Sequence, residues 1–218
     1  MAGGGTLCPL VGDNVQTKPG NTVGPSIQGL NTRFGEYGGG LSSTSYPPDL
    51  ITNYSQVSGQ GALSLDGSGT IVYGKSNGKG GGTESVSADA NGNITTGGGT
   101  AVFDYNDWQQ RSAECVAGSG SGCQAGGVFQ RRILRVVIGQ CSGTDGGTAS
   151  VPVLGFGCFY VLQPAEQKGN ESQIFGQFVR DCEGDSVPGP NPVDDQGPQI
   201  IQLYKTYIDN SQTPSTDS

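Results

Sequence analysis

The chain has 218 residues, a length that suits one large β-rich domain, and holds 40 glycines, 12 prolines and only 33% hydrophobic residues. Its net charge of −8 excludes nucleic acid as a partner, because phosphate binding needs a basic surface and the only basic cluster is Arg131, Arg132 and Arg135. There is no histidine, which excludes serine–histidine and cysteine–histidine catalysis and zinc sites of ordinary ligand spacing.

Residues 1–5, "MAGGG", read as a start residue with a cloning remnant or truncated linker, 6–205 as a single extracytoplasmic β-rich domain, and 206–218 as a polar tail. The first fifty or so residues read as short extended segments punctuated by Pro19, Pro25 and Pro47–Pro48. "YPPDLIT" is expected to be extended up to Asp49, since a residue before proline avoids the helical region. "GALSLDGSGTIVYG" alternates about an Asp66–Gly67 turn and predicts a hairpin, and "ESVSADANGNITTGGG" predicts a second with its turn at Asn91–Gly92. The glycine-rich "GKSNGKGGGT" between them reads as loop.

"AVFDYNDWQQRSAEC" predicts a helix capped by Asp104 or Asn106, with Tyr105 and Trp108 one turn apart and packed inward. "GGVFQRRILRVVIGQC" and "SVPVLGFGCFYVLQP" are the most apolar runs, and their near-continuous β-branched content predicts strands buried on both faces. The connection "SGTDGGTAS" is too short for a crossover helix, so the two should pair antiparallel, with Val137 and Phe159 in the core. Arg131 and Arg132, at the entrance of the first run, read as solvated. "SQIFGQFVRDC" is open to strand or helix, with Gly176 and the aromatic spacing favouring strand, and after the proline loop "EGDSVPGPNPVDDQGP", "QIIQLYKTY" reads as a closing strand. With no strict βαβ alternation, the fold class is mainly β with one or two short helices (α+β), long glycine-rich loops and disulfides. An α/β sheet is the alternative.

The six cysteines are Cys8, Cys115, Cys123, Cys141, Cys158 and Cys182. An even count in a loop-rich chain without a CxxC pair reads as disulfides formed in an oxidising compartment. Cys115 and Cys123 flank the flexible "VAGSGSG" and are the first pair expected to close.

The catalytic inventory is thin. Among the acids, Asp104, Asp107 and Glu114 sit near aromatic residues, and one helix cap plus solvated charges accounts for them. "DANGN", Asp89 to Asn93, has the oxygen spacing that opens a calcium loop but lacks its later acidic ligands, so a hairpin turn is the better reading. No catalytic, metal or cofactor residues are assigned. Arg33, Phe34 and Tyr37 lie close together in "GPSIQGLNTRFGEY", which sets that stretch apart from a linker and makes them a candidate partner surface. Tyr37, Tyr46 and Tyr54 could form a glycan-binding platform instead.

"VGDNVQTKPGNTVGPSIQGLNTRFGEY" followed by "YPPD" resembles the extracytoplasmic part of TadE/TadG-like proteins of bacterial Flp (Tad) pilus assembly. So do "GVFQRRILRVVIGQC", "VPVLGFGCFYVLQP", "GQFVRDC", "PGPNP" and "GPQIIQLYK", in the family's order. The likeness covers roughly residues 8 to 48 and 128 to 205, and residues 55 to 127 match nothing in it. It implies a non-enzymatic, minor-pilin-like component placed in the periplasm or at the cell surface, with other pilus assembly proteins or pilins as partners. It further implies a membrane association only through an N-terminal helix preceding this stretch. The Asp-x-Ser-x-Ser metal motif of some relatives' von Willebrand A-type domain is absent from the chain. On this likeness the Arg33–Tyr37 segment is an ordered surface strand or turn, with Arg33 holding a carboxylate or backbone carbonyls.

Overall fold

Alternating short strands and tight turns dominate the computed structural model, which describes residues 11–16, 23–55, 61–75, 82–89, 91–139, 150–168 and 171–179. Within these residues the protein is mainly β with two short helices. The named strands pair antiparallel throughout, so the α/β alternative does not apply to them.

The organising strand is β7 (Ser150–Val161). One edge carries β6 (Ile133–Gly139), antiparallel as expected, with Val137 opposite Phe156 and Ile133 opposite Tyr160. The other edge is shared by β1 (Asn14–Gln16), at the start of β7, and β10 (Gly176–Val179), at its end. A second sheet takes β2 (Gly61–Leu65), β3 (Ile71–Lys75), β4 (Thr83–Ala88) and β5 (Ile94–Thr96) in chain order, as the two predicted hairpins require. A small ladder joins β8 (Glu166–Lys168) to β9 (Glu171–Gln173).

Three turns in the second sheet share one form. The first residue's N–H donates to the fifth residue's carbonyl at Asp66–Thr70, Asp89–Asn93 and Thr96–Thr100, over 3.0, 3.0 and 3.1 Å. In each, the fifth residue's N–H returns to the first side chain's oxygen, over 2.9, 2.9 and 3.0 Å. The fourth residue is glycine at φ of 81°, 84° and 76°, the left-handed conformation that only glycine adopts freely. In the first hairpin the residue that makes the bend is therefore Gly69, not Gly67.

Helix α2 (Tyr105–Val116) is the predicted one, with Asp104 as its cap. The Asp104 side chain accepts from Asn106 and Asp107, while Asp107 reaches back to the Asp104 N–H in a capping box. Helix α1 (Val23–Asn31), continued by a 3-10 turn at Thr32–Phe34, replaces the extended segment expected there. Gly24, Pro25 and Gly29 are poor helix formers and hide it. Proline is tolerated in a first turn, and Ile27, Leu30 and Phe34 recur at helical spacing on one buried stripe. Tertiary burial, not propensity, stabilises this helix.

Two apolar clusters lie on opposite faces of the end of β7. On one face Tyr160 joins Leu63, Tyr73, Ile94, Phe103, Trp108 and Phe175. On the other, Val161 joins Ile27, Leu30 and Phe34 under α1, with Leu134 and Phe159 packed against them. Burial on both faces therefore holds for the end of β7 but not for the whole β6–β7 pair. Earlier in β7, Val151 and Val153 are buried while Leu154 is 57% exposed, a half-buried alternation. Val137 is 40% exposed, so its expected place in the core is corrected, and Phe159 is partly buried. Val137→Asp should then leave the urea unfolding midpoint nearly unchanged, within about 0.5 kcal/mol. Val153→Asp, placing a charge at a 2% exposed position, should cost roughly 3 kcal/mol or more. Equal losses in the two variants would contradict this assignment of faces.

The glycine-rich stretch after Lys75, the proline loop and "QIIQLYKTY" fall wholly or largely outside the described residues.

Candidate functional site

The centre of the molecule is built from residues far apart in sequence. The isolated bridge between Asp49 and Val128 brings "YPPD" beside the turn that precedes β6. In that turn Gln130 takes φ of 64°, a left-handed conformation costing a side chain about 1 kcal/mol. Arg131 and Arg132 follow, and both are buried, at 6% and 0% exposure. The reading of these arginines as a solvated strand entrance is thereby corrected. A guanidinium carries several donors, and the carbonyls left over at loop ends supply enough acceptors to take it out of water.

Arg132 shows how. Its Nε donates to the Val161 carbonyl (3.0 Å), its Nη1 to those of Ile51 (3.2 Å) and Asn53 (2.8 Å), and its Nη2 to that of Leu162 (2.7 Å). The guanidinium also lies over the rings of Phe34 (4.6 Å) and Tyr160 (4.7 Å), so it bridges the two apolar clusters. Its backbone N–H donates to Asp49 Oδ2 (3.0 Å), and Asp49 Oδ1 accepts from the Ile51 N–H and from Trp108 Nε1, both at 2.9 Å. Burial pushes the Asp49 carboxyl up, while Arg132 and these three donors pull it down. Burial likewise lowers Arg132. The Asp49 carboxylate is fully buried and each of its oxygens is engaged, so this node is architecture without access to a substrate.

The Arg33–Phe34–Tyr37 segment belongs to the same node. Arg33 and Phe34 are buried, so they are turned inward and not presented as a surface. Arg33 Nη1 donates to the Gly29 carbonyl (3.1 Å), in line with the expectation that it holds backbone carbonyls. Its burial, and Arg131 nearby, push it down to about 10. Its carbonyl accepts the Asp49 N–H (2.8 Å). Arg131 Nε holds the Pro47 carbonyl (3.0 Å). Only Tyr37 of the three reaches solvent, half-buried, and its hydroxyl donates to the Tyr46 carbonyl (2.9 Å). Of the three tyrosines proposed as a platform, Tyr54 is exposed, with its ring edge-on to Phe34 at 5.9 Å.

Side-chain amides complete the frame by pairing with backbone as a strand would. Gln163 accepts from the Leu63 N–H (2.8 Å) and donates to its carbonyl (3.0 Å). Asn31 does the same with Ala165, at 2.8 and 3.1 Å. Gln177 accepts from the Tyr105 N–H (2.8 Å) and donates to the Gly92 carbonyl (2.7 Å), which docks the second hairpin on α2. No pattern of neighbouring residues marks these amides, because each partner is distant in sequence.

The Asp89 carboxylate and the Asn93 amide oxygen of "DANGN" are both engaged by hydrogen bonds within the protein. Asp89 accepts from the Asn91 and Asn93 N–H groups (2.9 Å each) and from Asn93 Nδ2 (2.7 Å), and Asn93 Oδ1 accepts from Asn106 (2.8 Å). The Asn93 side chain holds the Asp89 carboxyl below its usual range. Among the described residues no group of three or more His, Cys, Asp or Glu side chains could hold a metal ion.

Cys115 and Cys123 form the expected disulfide, with Cα atoms 5.7 Å apart, and tie the end of α2 to the following loop. Cys158, buried in β7, is also disulfide-bonded. Cys8, Cys141 and Cys182 lie outside the described residues. No helix among the described residues is long and apolar enough to cross a membrane. Comparison of the chain with protein-family models, curated proteins and solved structures yields no match.

Proposed function

We propose that this protein is a non-enzymatic, extracytoplasmic component of Flp/Tad-type pilus assembly, minor-pilin-like, acting in filament biogenesis or adhesion through other pilus proteins. The observation that carries the reading is where the family-like motifs meet. Asp49 of "YPPD", Arg33 and Phe34 of "RFGEY", Arg132 of "QRRIL" and Val161–Leu162 of "YVLQP" are separated by up to 129 positions, yet they converge on one buried node. Stretches of the likeness that are far apart in sequence thus lie together in the fold, which supports the reading. Residues 55–127, which lack the likeness, supply the second sheet and α2. Disulfides suit an oxidising compartment, and the node offers stability, not chemistry.

The test is genetic and biochemical. An epitope-tagged chromosomal copy should fractionate outside the cytoplasm with its thiols oxidised, and deleting the gene should remove Flp filaments seen by electron microscopy. Recovery from the cytoplasm with six free thiols, or unchanged filaments in the deletion strain, would overturn the proposal.

A further inference from the structure

Beside the node, and independent of the pilus reading, lies a cleft of about 160 Å³ whose lining includes Asn31, Glu36, Tyr54, Gln163, Ala165 and Glu166. Its floor is held by the two amide pairs described above, Asn31 with Ala165 and Gln163 with Leu63, so the pocket is set by backbone bonding before any ligand arrives. One wall is the exposed Tyr54 ring, backed by Phe34. The rim carries Glu36 and Glu166, and no basic side chain lines the cleft among the described residues. Glu36 accepts a hydrogen bond from Asn31 through Oε2 (3.3 Å), which orients its carboxylate. Burial and then the Glu36 and Glu166 carboxylates raise the Tyr54 phenol, so both acids act on the ring that walls the cleft.

We infer that this cleft receives the basic side chain of a protein partner, its cation held between the Glu36 and Glu166 carboxylates and its apolar stem against the Tyr54 ring. The volume accommodates one long side chain. Carboxylates provide the charge, the ring provides a face that attracts cations, and the preset floor limits the ordering cost of binding.

The probe is N-acetyl-arginine amide, titrated into the full chain while backbone amides are followed by NMR. Saturable shifts are expected at Asn31, Ala165 and Glu166, with a Kd on the order of 1 mM that weakens as salt rises. The neutral isostere N-acetyl-citrulline amide should shift none of them. The Glu36→Gln/Glu166→Gln double variant changes exposed positions and should keep the wild-type spectrum elsewhere while binding the probe about 10-fold more weakly. Tyr54→Leu is a second variant with the same expectation, should the first fail to fold. Absence of saturable shifts, equal binding of the citrulline compound, undiminished binding by the folded variants, or tighter binding of methyl glucoside than of the arginine probe would each overturn the inference. Because the readout is direct binding, its failure leaves the pilus proposal standing, and the loss of that proposal leaves the cleft as it is.

Discussion

Arg132→Met is expected to unfold the domain, or to bring it close to unfolding, with a loss of about 4 kcal/mol or more. The substitution keeps an unbranched apolar stem and removes the fork. Four carbonyls, those of Val161, Ile51, Asn53 and Leu162, then lose a buried donor, and three of the four bonds are 3.0 Å or shorter. Each unsatisfied buried acceptor costs on the order of 1–3 kcal/mol, and the whole stability of a domain is typically about 5–15 kcal/mol. The attraction of the cation to the Phe34 and Tyr160 rings is lost as well. Arg132→Lys keeps the charge, but a single ammonium cannot reach carbonyls arranged around a planar fork, so it should recover less than half of the loss. Urea unfolding followed by tryptophan fluorescence reads both variants, because Trp108 is the only tryptophan and sits in the same node. A midpoint within about 0.5 kcal/mol of wild type for Arg132→Met would show that the carbonyls find other donors, and the node would lose its structural role.

Asp49→Ala is expected to cost about 3 kcal/mol or more, by leaving three buried donors without their acceptor: the Ile51 and Arg132 N–H groups and Trp108 Nε1. Asp49→Asn separates charge from hydrogen bonding. Its single carbonyl oxygen can still accept from Ile51 and Trp108, but its amide nitrogen would face the Arg132 N–H, donor against donor. A loss about half as large is expected, with the Trp108 emission near its native position, whereas Asp49→Ala should shift that emission even in protein that remains folded. Because the Arg132 guanidinium and the Asp49 carboxylate attract each other within the node, the double variant should be less destabilised than the two single losses added together. Strict additivity would mean that the two residues act in separate parts of the fold.

Much of the local structure was legible. Asp104 ahead of "YNDW" is a cap because its short carboxylate reaches the next free N–H groups, and nothing distant changes that. The hairpins followed from alternation around glycine-bearing turns, although the repeated five-residue form showed its rule only through the positive φ of Gly69, Gly92 and Gly99. Cys115 and Cys123 are near enough in sequence to meet by chain flexibility alone.

Helix α1 was hidden for the opposite reason. Gly24, Pro25 and Gly29 argue against it locally, and only the α1 stripe packing under Val161 and Phe159 makes it pay its way. The buried arginines were misread on the same ground. "QRRIL" shows two charges before an apolar run, and charges are normally solvated. What reverses that default is a set of carbonyls at Ile51, Asn53, Val161 and Leu162, none of them adjacent to Arg132 in sequence. The acidic cleft, too, joins α1, the Tyr54 loop and β8, and no one stretch contains it.

By itself, then, the sequence determined the two hairpins of the second sheet, the antiparallel pairing of β6 with β7, the α2 cap and the near disulfide, since these depend on neighbours within a few residues or on the length of a connection. Only the tertiary structure decided which face of β6 meets water, that Arg131 and Arg132 enter the core, and that Glu36, Tyr54 and Glu166 share one pocket. Burial and hydrogen-bond satisfaction are properties of what packs against a residue, and for these residues the partners come from elsewhere in the chain.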